Sequence, residues 1–238
     1  MLKNLLSWTC LLLLSVSCAS AAEYDNFAVI TAAGLKPFAR DLGGLLGSGL
    51  NQTARPLGFS GFDVGVRGVA QLKPSRGNTA LKKNSVFGLG FMQAEIGMPY
   101  RIDGFVRAAS YEGLTVAGGG LRYGLWNVSD QKNHVNAMLV ALADLAAHRC
   151  FYAVHYNATL VFSLNRPVFS PYIGAGMDST RLEAQAVTVP ALQGKSVTTV
   201  MPRYSAGLRA RFNLIYLAAG ATYTHGRTLY NASTGIRF

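Results

Sequence analysis

The sequence has few cysteines and, after its first 22 residues, no long hydrophobic run. Three of its 238 residues are cysteines, and two of them, Cys10 and Cys18, precede residue 23. Cys150 is therefore the single thiol of the remaining chain, which excludes an internal disulfide there. Because no apolar run in that part is long enough for a membrane-spanning helix, a membrane-inserted form must cross as strands.

Residues 1–22 have the features of a secretory signal peptide. Lys3 supplies the positive charge, Leu11 to Leu14 form an apolar run, and small residues at positions 19, 21 and 22 allow cleavage after either of the last two. The alternative is a lipoprotein anchored through Cys18, although a serine stands where the usual motif has leucine. The sequence predicts an exported protein.

Segments of alternating side chains follow one another from residue 60 to residue 238. In the clearest, residues 151–164, large apolar side chains such as Tyr156 alternate with small or polar ones such as His155 and Asn157. About ten such segments, separated by turns at short intervals, predict an all-β chain. Residues 135–146 are equally compatible with a helix, and a phase shift near Phe91 and Met92 predicts a bulge.

Along several of these strands the charged residues have the same parity in the alternation, which places them on one face of the strand. Arg209 and Arg211, for example, alternate with Leu208 and Ala210. A guanidinium facing hydrocarbon costs roughly 2–4 kcal/mol at the bilayer midplane, so we expect these side chains to face the interior of a barrel. The residues predicted to line this interior are Asp63, Arg67, Glu95, Arg107, Arg122, Arg209, Arg211 and Arg237.

The last strand ends on an aromatic residue, with Tyr230, Ile236 and Phe238 on one face. It resembles the closing strand of bacterial outer-membrane β-barrels, a family in which the barrel-assembly machinery reads the final aromatic. Residues 171–176, Pro-Tyr-Ile-Gly-Ala-Gly, are similar to a strand motif common among small porin-like members. The resemblance implies a closed antiparallel transmembrane barrel of about ten strands, with eight to twelve possible, and it implies that Tyr230, Ile236 and Phe238 form the assembly signal.

Three regions follow from this interpretation: the signal peptide at 1–22, an N-terminal segment at 23–59 and the barrel at 60–238. In the N-terminal segment Leu35, Phe38 and Leu42 recur at helical spacing. We expect a short amphipathic helix that either plugs the barrel or lies on its periplasmic side. Several glycines between residues 43 and 49 weaken this helix.

The two longest gaps between predicted strands are residues 73–85 and 179–202. Both connect an odd strand to the next even one, so the resemblance places them outside the cell and both chain termini in the periplasm. The first loop carries Lys73, Arg76, Lys82 and Lys83, in a chain of formal net charge +11. These cations either pair with lipopolysaccharide phosphates or are ordinary solvated side chains.

For function, the sequence predicts a narrow passive channel, biased toward anions if water fills a basic interior. In a small barrel such charges can instead pair and pack the interior. The alternative is a non-enzymatic surface barrel that presents loops 73–85 and 179–202 for ligand binding or adhesion. A soluble ligand-binding barrel would need its apolar faces inside, and Phe238 argues against it.

Catalytic, metal and cofactor motifs are not evident. His134, His148, His155 and His225 are the candidate bases, and Asp144 precedes His148 by four residues. The sequence has no Gly-x-Ser-x-Gly elbow, no closely spaced His or Cys pair and no phosphate-binding loop. We therefore expect no enzymatic activity, cofactor or metal. Expected partners are outer-membrane lipid, lipopolysaccharide and the assembly machinery, and an exported protein has little access to nucleic acid.

Overall fold

A computed structural model describes residues 24–127 and 131–238 of the chain. The predicted signal peptide, residues 1–22, lies outside the described residues. Within the described ranges, no helix has both the length and the apolar character needed to cross a membrane.

Ten antiparallel strands form a closed barrel in which neighbours in sequence pair and the last strand pairs with the first. At this closure the backbone N–H of Phe62 donates to Phe238 O at 3.2 Å, and that of Phe238 donates to Phe62 O at 2.8 Å. The predicted all-β barrel of about ten strands is confirmed. The strands are β1 (Phe62–Gln71), β2 (Phe87–Met98), β3 (Ile102–Tyr111), β4 (Leu114–Gly124), β5 (Val135–His148), β6 (Phe151–Leu164), β7 (Phe169–Ala184), β8 (Ser196–Phe212), β9 (Ile215–Thr224) and β10 (Arg227–Arg237).

Strands β5 and β6 show the alternation most clearly. In β6 the side chains of His155 and Asn157 are buried and that of Tyr156 is exposed, as predicted. The segment that was compatible with a helix is β5, and it pairs with β4 and β6 along nearly its whole length. Ladders of backbone hydrogen bonds on both sides of β5 therefore override its helical propensity.

The predicted bulge in β2 is wrong. β2 pairs with β1 without interruption from Ile96 opposite Phe62 to Phe87 opposite Gln71. Phe91 points inward and is 1% exposed, whereas Met92 points outward and is 66% exposed. The inward row of β2 contains large apolar side chains because it packs against an apolar segment inside the barrel, and this made the alternation look out of phase.

The two ends of the barrel differ in their connections. The loop end carries the connections 72–86 and 185–195 and three tight hairpins, and the terminal end holds Phe62 and Phe238. The predicted outer loop 179–202 is too long, because β7 continues to Ala184 and β8 begins at Ser196. Its flanks are rich in Thr, Ser and Val, so they show little of the apolar-to-polar contrast on which the prediction depended.

One α-helix is present in the described part of the chain, α1 (Ala32–Gly47), and it lies inside the barrel. A 3₁₀ helix at Tyr24–Val29 precedes it. The side chains of Leu35, Phe38 and Leu42 are fully buried, and α1 contacts β1, β6, β7 and β8. The helix therefore packs against the inner surface of the wall.

Candidate functional site

Residues 24–57, which we call the plug, run through the barrel from one end to the other. At the loop end the ring centroid of Tyr24 lies 5.9 Å from that of Phe87 and 6.1 Å from that of Phe151. At the terminal end the backbone N–H of Leu57 donates to Asp103 Oδ2 at 3.0 Å. Tyr24 therefore lies at the opposite end of the barrel from Phe238.

The loop-end half of the interior is apolar. The ring of Phe27 lies 4.9 Å from that of Phe38 and 4.7 Å from that of Phe151. Inward side chains of the wall such as Leu114 and Leu182 belong to the same buried cluster. Burial of each such side chain contributes about 1.5–3 kcal/mol, so this half holds the plug through the hydrophobic effect.

Glycines on α1 allow the helix to approach the wall closely. A β-carbon at Gly43 would lie 2.1 Å from Thr180 Oγ1, and one at Gly47 would lie 2.3 Å from Arg203 Nη2. Both separations are shorter than side chains tolerate. The glycines that weaken the helix in isolation are therefore the residues that let it fit against β7 and β8.

Arginines of the wall donate to backbone carbonyls at the C-terminal end of the plug helix and just beyond it. Arg203 donates to Gly44 O at 3.1 Å, and Arg107 donates to Leu46 O. Leu50 O accepts from Arg67 at 2.8 Å and from Arg122 at 2.7 Å. The last carbonyls of a helix have no partner within it and form the negative end of its dipole, so guanidinium groups are well suited to this position.

Three carboxylates of the wall pair with these four arginines. Glu95 accepts hydrogen bonds from both Arg67 and Arg122, and Asp144 accepts from Arg107. Asp178 Oδ2 accepts from Arg203 Nε at 2.7 Å. All of these side chains are buried. Because removal of one partner leaves the other as an uncompensated buried charge, each pair is costly to break.

Asp41 is the polar anchor of α1 near the loop end. Its carboxylate accepts from Gln71 Nε2 at 2.8 Å, from the backbone N–H of Ser75 at 2.8 Å and from Asn78 Nδ2 at 2.7 Å. His225 Nε2 lies 3.2 Å from its Oδ1. Burial alone would raise the pKa of Asp41, but these hydrogen bonds outweigh burial and hold the pKa below its ordinary value.

A second polar cluster surrounds the last residues of the plug. Arg237 donates to Pro56 O at 2.7 Å, and Tyr216 donates to Asp63 Oδ1 at 2.8 Å. The guanidinium of Arg209 lies 4.1 Å from the ring centroid of Tyr216. The cavity among these side chains has a volume of about 10 Å³, which is close to the minimum for one water molecule.

The residues predicted to line the interior therefore face the plug and each other. Arg211 is the exception, because it lies exposed at the end of β8 although it shares the parity of Arg209. Arg203 and Asp178 also lie in the interior but were not among the predicted lining residues, and Asp144 was considered only as a catalytic partner of His148. Arg203 also shares the parity of Arg209, but it directly follows the predicted loop 179–202 and was not assigned to a face.

The structure places two of the candidate histidines, His155 and His225, in the buried interior. His155 Nδ1 lies 2.9 Å from Thr180 Oγ1, and His155 Nε2 lies 3.5 Å from Asp178 Oδ1, but the imidazole is fully buried beneath the plug. Asp144 pairs with Arg107 rather than with His148. Among residues 24–127 and 131–238, no group of His, Cys, Asp or Glu is arranged to hold a metal ion.

The three residues of the expected assembly signal lie on β10 or directly after it, and their side chains face outward. Tyr230, Ile236 and Phe238 are 51%, 44% and 66% exposed, respectively. They therefore lie on the outward row of the strand that closes the barrel.

Comparisons with known proteins give matches only among solved structures; no family model and no curated protein matches the chain. The chain is similar to the N-terminal β-barrel domain of Pseudomonas aeruginosa OprF, with 12% identity and a TM-score of 0.39 over 76% of this chain and 99% of that chain. For LpxR from Salmonella typhimurium the values are 9%, 0.37, 73% and 99%. For Ail, the attachment invasion locus protein of Yersinia pestis, they are 14%, 0.30, 76% and 99%. These structures are outer-membrane β-barrels.

Substitution Arg203→Gln should lower the free energy of unfolding by about 3–5 kcal/mol, because it leaves Asp178 as an unpaired buried charge and removes a donor from α1. Urea titration of the folded barrel measures the change. Arg211→Gln is the matched control and should change the value by less than about 0.5 kcal/mol, since that side chain is exposed. Equal effects of the two substitutions would contradict the anchoring role of Arg203.

Acid should loosen the plug through Asp41. Its pKa in the folded state lies below the ordinary value of about 3.9, so its stabilising effect is complete above that value and is lost as the pH falls through the folded-state pKa. Stability measured between pH 7 and pH 2 should therefore decrease less steeply in Asp41→Asn than in the wild type. Identical pH profiles would show that Asp41 does not act in this way.

Proposed function

We propose that the chain is a non-enzymatic barrel of the bacterial outer membrane, closed by its own plug, whose role lies in the surface that it presents at the loop end. The observation that carries this proposal is the filled interior. The plug extends from Tyr24 to Leu57, and the cavity among the polar side chains at its terminal end has a volume of about 10 Å³. An interior filled in this way favours a closed barrel over an open channel.

The outward face of the barrel supports insertion in a membrane. Three consecutive strands each have a row of outward side chains with an aromatic residue at one or both ends. These rows cover residues 204–212, 215–223 and 230–238. Eight residues extend about 26 Å along a strand. A tilt of roughly 40° reduces this to about 20 Å, close to the apolar band of about 25 Å in outer-membrane barrels.

The loop end supports the surface role. Lys73, Arg76, Lys82 and Lys83 are exposed on the connection 72–86. The other long connection, 185–195, is attached to the plug, because the backbone N–H of Thr188 donates to Ala28 O at 2.7 Å. The plug thus holds the loops in place, and their cations favour an anionic partner such as lipopolysaccharide phosphate.

A second candidate is an anion-biased channel that opens when the plug moves. The observation in its favour is the number of arginines on the inner wall. If the plug moved, Arg67, Arg107, Arg122 and Arg203 would lose their carbonyl partners and line a water-filled lumen, as basic residues do in anion-selective pores.

Conductance across a planar bilayer separates the two candidates. A β-carbon at Gly43 would lie 3.1 Å from that of Thr180, so two cysteines there need to separate by only about half an ångström to form a disulfide. We expect no current steps from the wild type, nor from the variant Gly43→Cys, Thr180→Cys, Cys150→Ser under oxidising or reducing conditions.

The channel candidate predicts the opposite pattern. Anion-selective steps should occur in the wild type, disappear in the oxidised double-cysteine variant and return when its disulfide is reduced. That result would overturn the proposal of a closed barrel with a surface role.

We also propose that Phe238, with Tyr230 and Ile236, is recognised by the barrel-assembly machinery. Phe238→Ala should then lower the amount of folded barrel in the outer-membrane fraction of cells. Phe212→Ala removes another exposed aromatic at the terminal end and is the matched control. A comparable loss in both variants would show that apolar area at this end matters and that the terminal position has no special role.

A further inference from the structure

A groove lies on the surface of the terminal end, outside the interior described above. Its volume is about 430 Å³, within the range of small-molecule sites. It lies between the connection that precedes β5 and the turn that joins β6 to β7. Its lining consists of Lys132, Leu164, Arg166, Pro167, Val168, Phe169 and Pro171.

Backbone hydrogen bonds hold the two sides of the groove together. The N–H of Asn133 donates to Asn165 O at 2.9 Å, and the N–H of Asn165 donates to His134 O at 2.8 Å. Lys132 directly precedes Asn133, and Arg166 directly follows Asn165. These hydrogen bonds therefore place both cations on the same groove. Two prolines in the lining further restrict its backbone.

The lining combines two cations with an apolar floor. Lys132 and Arg166 are exposed, and none of the described residues that line the groove is a carboxylate. Val168 is 43% exposed and Phe169 is 54% exposed. Phe169 is one of the exposed aromatics of the terminal end, so the floor lies where the apolar band meets the headgroup region.

We propose that this groove binds one anionic glycerophospholipid. Its phosphate contacts Lys132 and Arg166, and an acyl chain lies along Leu164, Val168 and Phe169. An inorganic phosphate would use the cations but leave the apolar floor uncovered, whereas a zwitterionic lipid would place its own cation beside them. The inference rests on the proposed function, because it requires the barrel to be inserted in a membrane.

Native mass spectrometry of the folded protein from neutral detergent tests the inference, with phosphatidylglycerol and phosphatidylcholine of identical acyl chains as probes. We expect one phosphatidylglycerol to be retained in preference to phosphatidylcholine. In the variant Lys132→Gln, Arg166→Gln its affinity should fall roughly thirtyfold, as expected for the loss of two cations near a headgroup. Arg181→Gln removes an exposed cation at the opposite, loop end of the barrel and should leave the affinity unchanged.

Other outcomes would overturn the inference. Equal retention of the two lipids, or an equal loss in Arg181→Gln, would show that the groove has no special role. Complete displacement of the lipid by millimolar inorganic phosphate would identify a simple anion site instead. Insertion of the wild type into phosphatidylcholine vesicles is scored separately: a protein that inserts without lipid preference contradicts only this inference, whereas a protein that does not insert contradicts the proposed function as well.

Discussion

The structure depends on how the backbone carbonyls at the end of a buried helix are satisfied. A helix that ends inside a barrel leaves its last carbonyls without partners, and little water can reach them there. Four arginines of the wall donate to these carbonyls or to those just beyond, and each arginine is paired with a carboxylate of the wall. The plug and the wall therefore complete one another's hydrogen bonding and charge.

This constraint explains why the interior is basic. Arginines in excess of carboxylates suggest a path for anions when only the sequence is considered. In the structure the negative ends of peptide dipoles take the place of the missing carboxylates, notably at Gly44, Leu46 and Leu50. The same constraint explains the glycines of α1, since Gly43 and Gly47 let the helix approach close enough for the guanidinium groups to reach its backbone. The apolar loop-end half then fixes the helix along its length.

Much of the barrel could be predicted from the sequence because a strand repeats every two residues. The parity of Arg67 and Arg209 follows from this repeat and from the cost of a charge in hydrocarbon. The repeat shows which face of a strand a residue lies on, but not how far along the barrel axis it lies. Arg211 was therefore assigned to the interior, although its position at the end of β8 leaves it exposed. The repeat is also hard to read where a strand has apolar residues on both faces, as at Phe91. The inward apolar row of β2 packs against the plug, and the local sequence does not encode where the plug lies.

The central claim is that the plug occupies the interior as a permanent part of the fold. Amide hydrogen exchange of residues 32–50, followed by mass spectrometry on the folded barrel at neutral pH, tests it most directly. The account predicts that these amides exchange as slowly as those of β6 and β7. Exchange of residues 32–50 at the rate of a free peptide, while the strands stay protected, would contradict it.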